Sequence, residues 1–91
     1  MHRYFCWFGG DGGGAIGNQM DESDQQEVME ALQTVPDNEK HHWTNSRTGT
    51  EFTIQPISTH ETNEKICREY EIWMTQQGST QQQKERQCLD L

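Results

Sequence analysis

Two cysteines and the turn between them restrict this chain more than any other feature. Cys67 and Cys88 are separated by 20 residues, and Gln77-Gly78 lies at the midpoint of that interval. Folding Lys65–Thr75 back onto Thr80–Leu89 about this turn brings the two cysteines close together. Facing cysteines on antiparallel strands reach disulfide distance, mostly at non-hydrogen-bonded pairs. Closing a loop of about 20 residues stabilises a fold by roughly 3 kcal/mol in the chain-entropy account. Such a bond persists in an oxidising compartment. The alternative is two buried free thiols in a cytosolic sheet, and a thiol titration of denatured, unreduced protein separates the two. Cys6 is the odd cysteine left over when Cys67 and Cys88 pair.

A cross-link matters here because the chain has 91 residues and only 30% of them are hydrophobic. One domain is the ceiling at this length, and roughly 60–65% of the unfolded surface is buried on folding. The core is therefore small, and a cross-link, a partner or a bound surface would help it. The 7 basic and 15 acidic residues give 7 − 15 = −8. That balance argues against nucleic acid, whose phosphates need a basic face, and against electrostatic docking on anionic lipid. It suits a basic partner without naming one. No stretch approaches the ~20 apolar residues of a spanning helix. Met1–Phe8 has a basic start in His2 and Arg3, but its apolar run is too short for a signal peptide and glycines follow at once. An exported form would take its signal from sequence upstream of Met1, with Met1 then an internal start. Mass spectrometry of the native N-terminus decides this.

Composition divides the chain into a Gly-rich arm, residues 1–20, and a domain, residues 21–91. The arm carries the run Gly9-Gly10-Asp11-Gly12-Gly13-Gly14. Glycine costs about 1 kcal/mol per residue in a helix interior relative to alanine, so a flexible arm is expected. A short helix follows over about Glu22–Val35. Val28, Ala31, Leu32 and Val35 make one apolar stripe at i, i+3, i+4 and i+7. Ser23 and Gln26 read as a capping box, Asp21, Glu22 and Asp24 suit the helix N-terminus, and Pro36 stops the helix.

The rest reads as β-structure. His41–Asn45 is a short strand centred on Trp43, and Ser46–Gly49 is a turn. Thr50–Ile57 alternates, with Pro56 marking an edge or a strand end. Ser58–Glu64 is a polar link. Lys65–Thr75 places Ile66, Tyr70, Ile72 and Met74 on one face with Arg68 among them. Its other face carries Cys67, Glu69, Glu71 and Trp73. Gln76–Ser79 is a hairpin turn and Thr80–Leu89 a polar closing strand whose charges discourage edge-to-edge pairing. The expected fold class is α+β: a short N-terminal helix packed on a small antiparallel four-strand β-meander, preceded by the arm.

These segments carry a resemblance. Gly12-Gly13-Gly14-Ala15-Ile16-Gly17-Asn18-Gln19-Met20-Asp21-Glu22-Ser23-Asp24 looks like the end of a glycine zipper and its junction. Trp43-Thr44-Asn45, Phe52-Thr53-Ile54-Gln55-Pro56, Cys67-Arg68-Glu69-Tyr70, Gln81-Gln82-Gln83 and Cys88 follow in order. From Gly9 to Cys88 the chain is similar to the rickettsial-type 17 kDa surface antigen family of Gram-negative envelope lipoproteins. The resemblance implies an exported outer-membrane or periplasmic protein with a small β-domain, no enzymatic activity and no cofactor. Membrane association through the arm would require an upstream anchor. Three features depart from the family pattern: the signal and lipobox are missing, Asp11 interrupts a shortened zipper, and the Gly- and Trp-containing tail is absent.

Candidate chemistry is sparse. His41 and His42 are adjacent on a strand and point to opposite faces, so they do not chelate one ion readily. His60 and Cys67 lack zinc-site spacing. Cys6 has no scaffold to orient a base. The glycine run lacks the βαβ context of a dinucleotide loop. Glu69 and Glu71 read as a solvated strand face. Trp43, Trp73 and Tyr70 could form a recognition surface, with core packing against the helix expected for at least one Trp. Trp73, on the face opposite Tyr70, is the partner-facing candidate together with Glu69 and Glu71. The expectation is a non-catalytic module of the cell envelope whose partner is an envelope protein or membrane component. A soluble periplasmic module that binds or inhibits a basic protein is the alternative. Self-association through the sheet edges stays open.

Overall fold

A computed structural model describes residues 14–90, and its longest uninterrupted pairing is a hairpin. Strands β3 (Lys65–Gln76) and β4 (Ser79–Asp90) pair antiparallel without interruption from Lys65↔Asp90 to Gln76↔Ser79. Only Gln77 and Gly78 lie between them, with φ of 50° and 80°. Positive φ at both positions gives a turn whose twist matches the strands it joins. Cys67 faces Cys88, and the two form a disulfide with Cα atoms 4.0 Å apart. Hydrogen-bonded and narrow pairs alternate from the closing pair Gln76↔Ser79, which places 67↔88 in the narrow class.

Strand β2 (Glu51–Glu61) is longer than the Thr50–Ile57 expected. Ser58–Glu61, read as a link, pairs with Ile66–Glu69 after a register shift between Pro56 and Ser58. The turn to β3 is correspondingly tight, with the Thr62 N–H donating to the Lys65 carbonyl at 2.8 Å. Polar side chains hid this half of the strand, because alternation is legible only where one face is apolar. Pro56 is buried inside the strand. Strand β1 (His41–Thr44) covers β2 only from Glu51 to Ile54. Pro56 therefore sits where β2 has become an edge and needs no N–H for a ladder. Its carbonyl accepts from the Asn38 N–H at 2.7 Å. The sheet order is β1-β2-β3-β4, the expected meander.

Helix α1 (Gly14–Asn18) corrects the boundary of the arm. The arm was expected to run to residue 20, but Ile16 is 1% exposed within the core. Its N–H donates to Gln83 Oε1 on β4 at 2.6 Å. Burying one isoleucine contributes about 1.5–3 kcal/mol, enough to outweigh the low helix propensity of the neighbouring glycines. Residues 1–13, with Cys6 and most of the glycine run, lie outside the described residues.

Helix α2 (Glu22–Thr34) ends one residue before the expected Val35. Its N-cap is Asp21, not Ser23. Asp21 Oδ1 accepts from the Asp24 N–H at 3.1 Å, and Asp24 Oδ2 accepts from the Asp21 N–H at 3.2 Å. The Ser23 hydroxyl instead donates to Asp21 Oδ1. A carboxylate three residues from another carboxylate satisfies both orphan N–H groups, and the serine supports the cap. Val28, Ala31 and Leu32 are buried against the sheet, and Val35 packs at their margin. They meet Trp43, Phe52, Ile54, Tyr70, Ile72 and Met74. Trp43 stacks on Phe52 with ring centroids 5.2 Å apart. No helix among the described residues is long and apolar enough to cross a membrane.

Candidate functional site

Strand alternation sorts the sheet into a covered and an uncovered face. Tyr70, Ile72 and Met74 face the helices, so Cys67, Glu69, Glu71 and Trp73 share the other face of β3, as expected. Trp73 is half-buried. Lys40 Nζ lies 5.2 Å from the centroid of its ring, within cation–π range. Glu71 sits opposite Lys84 and Glu69 opposite Arg86. Glu71 Oε2 accepts from Gln82 Nε2 at 2.7 Å, and Glu69 Oε1 accepts from the Ser58 hydroxyl at 3.0 Å. The three partner-facing candidates therefore form one row at two-residue spacing. The row is an aromatic surface flanked by mixed charge.

The disulfide closes one end of that row. Cys67 is 4% exposed, while Cys88, on edge strand β4, is half-buried. Arg86 Nη2 lies 3.7 Å from Cys67 Sγ. His60 stands opposite Cys67 on the β2 side.

No group of three or more His, Cys, Asp and Glu side chains that could hold a metal ion occurs among the described residues. His41 Nε2 contacts Glu27 Oε1 at 3.0 Å, and His42 Nδ1 contacts Thr53 Oγ1 at 3.0 Å. The two rings serve opposite sides of β1, as alternation requires.

Two polar clusters were not foreseen. Asp24 is 1% exposed. Its Oδ1 accepts from Trp43 Nε1 at 3.0 Å and its Oδ2 from Asn45 Nδ2 at 2.8 Å. Asn45 Nδ2 also donates to Asp21, and Asn45 Oδ1 accepts the Arg47 and Thr48 N–H groups. One asparagine thus ties the helix start to the turn after β1, which is why β1 stops at Thr44. Hydrogen bonds from Asn45, Ser23 and the Asp24 backbone, with help from Arg47, hold the Asp21 carboxyl well below the usual carboxylate range.

The second cluster surrounds Arg68, which is 8% exposed on the core face. Its Nη1 donates to the Leu32 carbonyl at 2.6 Å, Nη2 to Asp37 Oδ1 at 2.7 Å, and Nε to Thr59 Oγ1 at 3.0 Å. The guanidinium therefore satisfies a carbonyl of the last turn of α2, where a cation is favoured. Arg68 in turn holds the Asp37 carboxyl below its usual range. Leu32, Ile66 and Leu89 line a shallow groove beside it. Burial pushes the Tyr70 hydroxyl pKa up, and Gln87 supplies its hydrogen bond.

No protein-family model, curated protein or solved structure matches the chain.

Proposed function

We propose that the protein is a non-catalytic structural or interaction component of the Gram-negative cell envelope, similar to the rickettsial-type surface antigens. The observation that carries this reading is the Cys67–Cys88 disulfide. A bond of this kind persists in the periplasm or at the cell surface and is rare in the cytosol. The sheet supports the reading in a second way. Helices cover one face, and the row Glu69, Glu71 and Trp73 lies on the other. Trp73 in that row is of the residue type enriched where proteins dock on one another.

Fractionation of cells expressing the native gene tests the proposal. The protein is expected in the envelope, with Cys67 and Cys88 oxidised. A cytosolic protein with both thiols free would overturn it. The net charge of −8 favours a second reading, a soluble periplasmic module on a basic partner. That reading predicts recovery in the periplasmic fraction, no flotation with membranes, and partner binding that weakens as salt is raised.

A further inference from the structure

We propose that the disulfide is a thiol-exchange site with a fixed polarity: an incoming thiolate attacks Cys88, and Cys67 leaves against Arg86. Three observations carry this. Cys88 lies on edge strand β4, which has no strand beyond it, and it is the more exposed of the two cysteines. Cys67 is 4% exposed on an inner strand, between β4 and His60 of β2. Arg86 Nη2 lies 3.7 Å from Cys67 Sγ. Access therefore selects Cys88 as the sulfur attacked. Charge selects Cys67 as the sulfur released, because a guanidinium beside a departing sulfur stabilises the negative charge that develops on it.

The step balances without an external oxidant. The thiolate sulfur of a low-mass thiol or a protein dithiol forms a bond to Cys88 Sγ. The Cys67–Cys88 bond breaks, and its electron pair leaves on Cys67 Sγ as a thiolate. A second thiol, or the other thiol of a dithiol, then attacks the mixed disulfide and releases Cys88. The incoming thiols are oxidised and the protein pair is reduced. The charged groups facing the site are Arg86, His60 and Glu69, with the facing pair Lys65 and Asp90 at the strand ends. Of these, Arg86 is the group in contact with Cys67 sulfur.

The test uses the full chain carrying Cys6→Ser, so that only this disulfide reports. The oxidised protein is treated with limiting glutathione, quenched in acid, alkylated and mapped by mass spectrometry. Glutathione is expected on Cys88 and the alkyl group on Cys67. Arg86→Gln is expected to slow the first exchange by roughly threefold or more, with Arg86→Lys restoring part of the rate. Arg86 is exposed, so its variants keep the fold, and an unchanged Tm confirms this. Glutathione on Cys67, an even mixture, or an Arg86→Gln rate equal to the parent would overturn the proposal. The chemistry is read on purified protein, so its outcome is independent of where the protein resides.

Discussion

At the scale of single residues, Asp24 is the most consequential side chain in the molecule. It looks like ordinary helix-start charge, yet it is buried and accepts from Trp43, Asn45 and its own cap. Asp24→Ala would orphan the buried Trp43 Nε1 and leave Asn45 Nδ2 with Asp21 alone, and unpairing one buried donor costs about 1–3 kcal/mol. Urea denaturation should show that loss, with a smaller one for Asp24→Asn, which keeps an acceptor. Asp21 and Asp37 belong to the same scale. Both carboxyl groups titrate lower in the fold than in the unfolded chain. Their contribution is therefore complete above the unfolded value of about 4 and drains away as pH falls through the lower folded value. The denaturation midpoint should fall as pH drops below about 4. Asp21→Asn and Asp37→Asn should each flatten that slope, and parallel curves would refute the assignment. None of these contacts was legible in the sequence. The bond from Trp43 to Asp24 spans 19 residues, and no periodicity encodes which polar side chain a distant indole will meet. The Asp-x-x-Asp spacing was there to be read as a cap, but Ser23 offered the more familiar one.

At the scale of elements, legibility followed apolar alternation. The β3–β4 hairpin could be read almost to the residue, because Ile66, Tyr70, Ile72 and Met74 mark a face and Gly78 marks the turn. The second half of β2 could not, because Ser58, Thr59 and His60 carry no such contrast. Helix α1 was hidden by its glycines, and only the fold explains why Ile16 orders them. The hairpin turn leaves room for improvement. Gln77 holds a positive φ of 50° without being glycine. Gln77→Asn should stabilise the protein by about 0.5 kcal/mol, since asparagine tolerates this region better. Gly78→Ala places a Cβ at φ 80° and should cost about 1 kcal/mol. Thermal melts of the two variants should move in opposite directions.

At the scale of the whole molecule, a small core is shared between two clamps. One is the disulfide, which closes the far end of the hairpin. The other is Arg68, which joins the end of α2 to β2 and to the loop before β1. Replacing Cys67 and Cys88 together by serine should lower stability by about 3 kcal/mol. Equal stability with and without the bond would show that packing alone holds the hairpin. The candidate surface was legible from the sequence as a row of residues, since a strand fixes which side chains share a face. What lies against each side chain was not, and Lys40 above Trp73 comes from a different segment altogether.

The bond from Ile16 to Gln83 spans 67 residues, and this sets an order in time. The hairpin turn needs only a two-residue loop, and hairpins of this kind close in about 1–10 μs. The Ile16 contact must wait until the opposite ends of the fold have been gathered, because its closure carries the larger loop entropy. Hairpin substitutions such as Gly78→Ala should therefore slow refolding. Ile16→Ala should leave refolding nearly unchanged and hasten unfolding, as stopped-flow measurements would show. A chain built this way stays open until its last strand arrives, and its first described helix is the latch that shuts behind it.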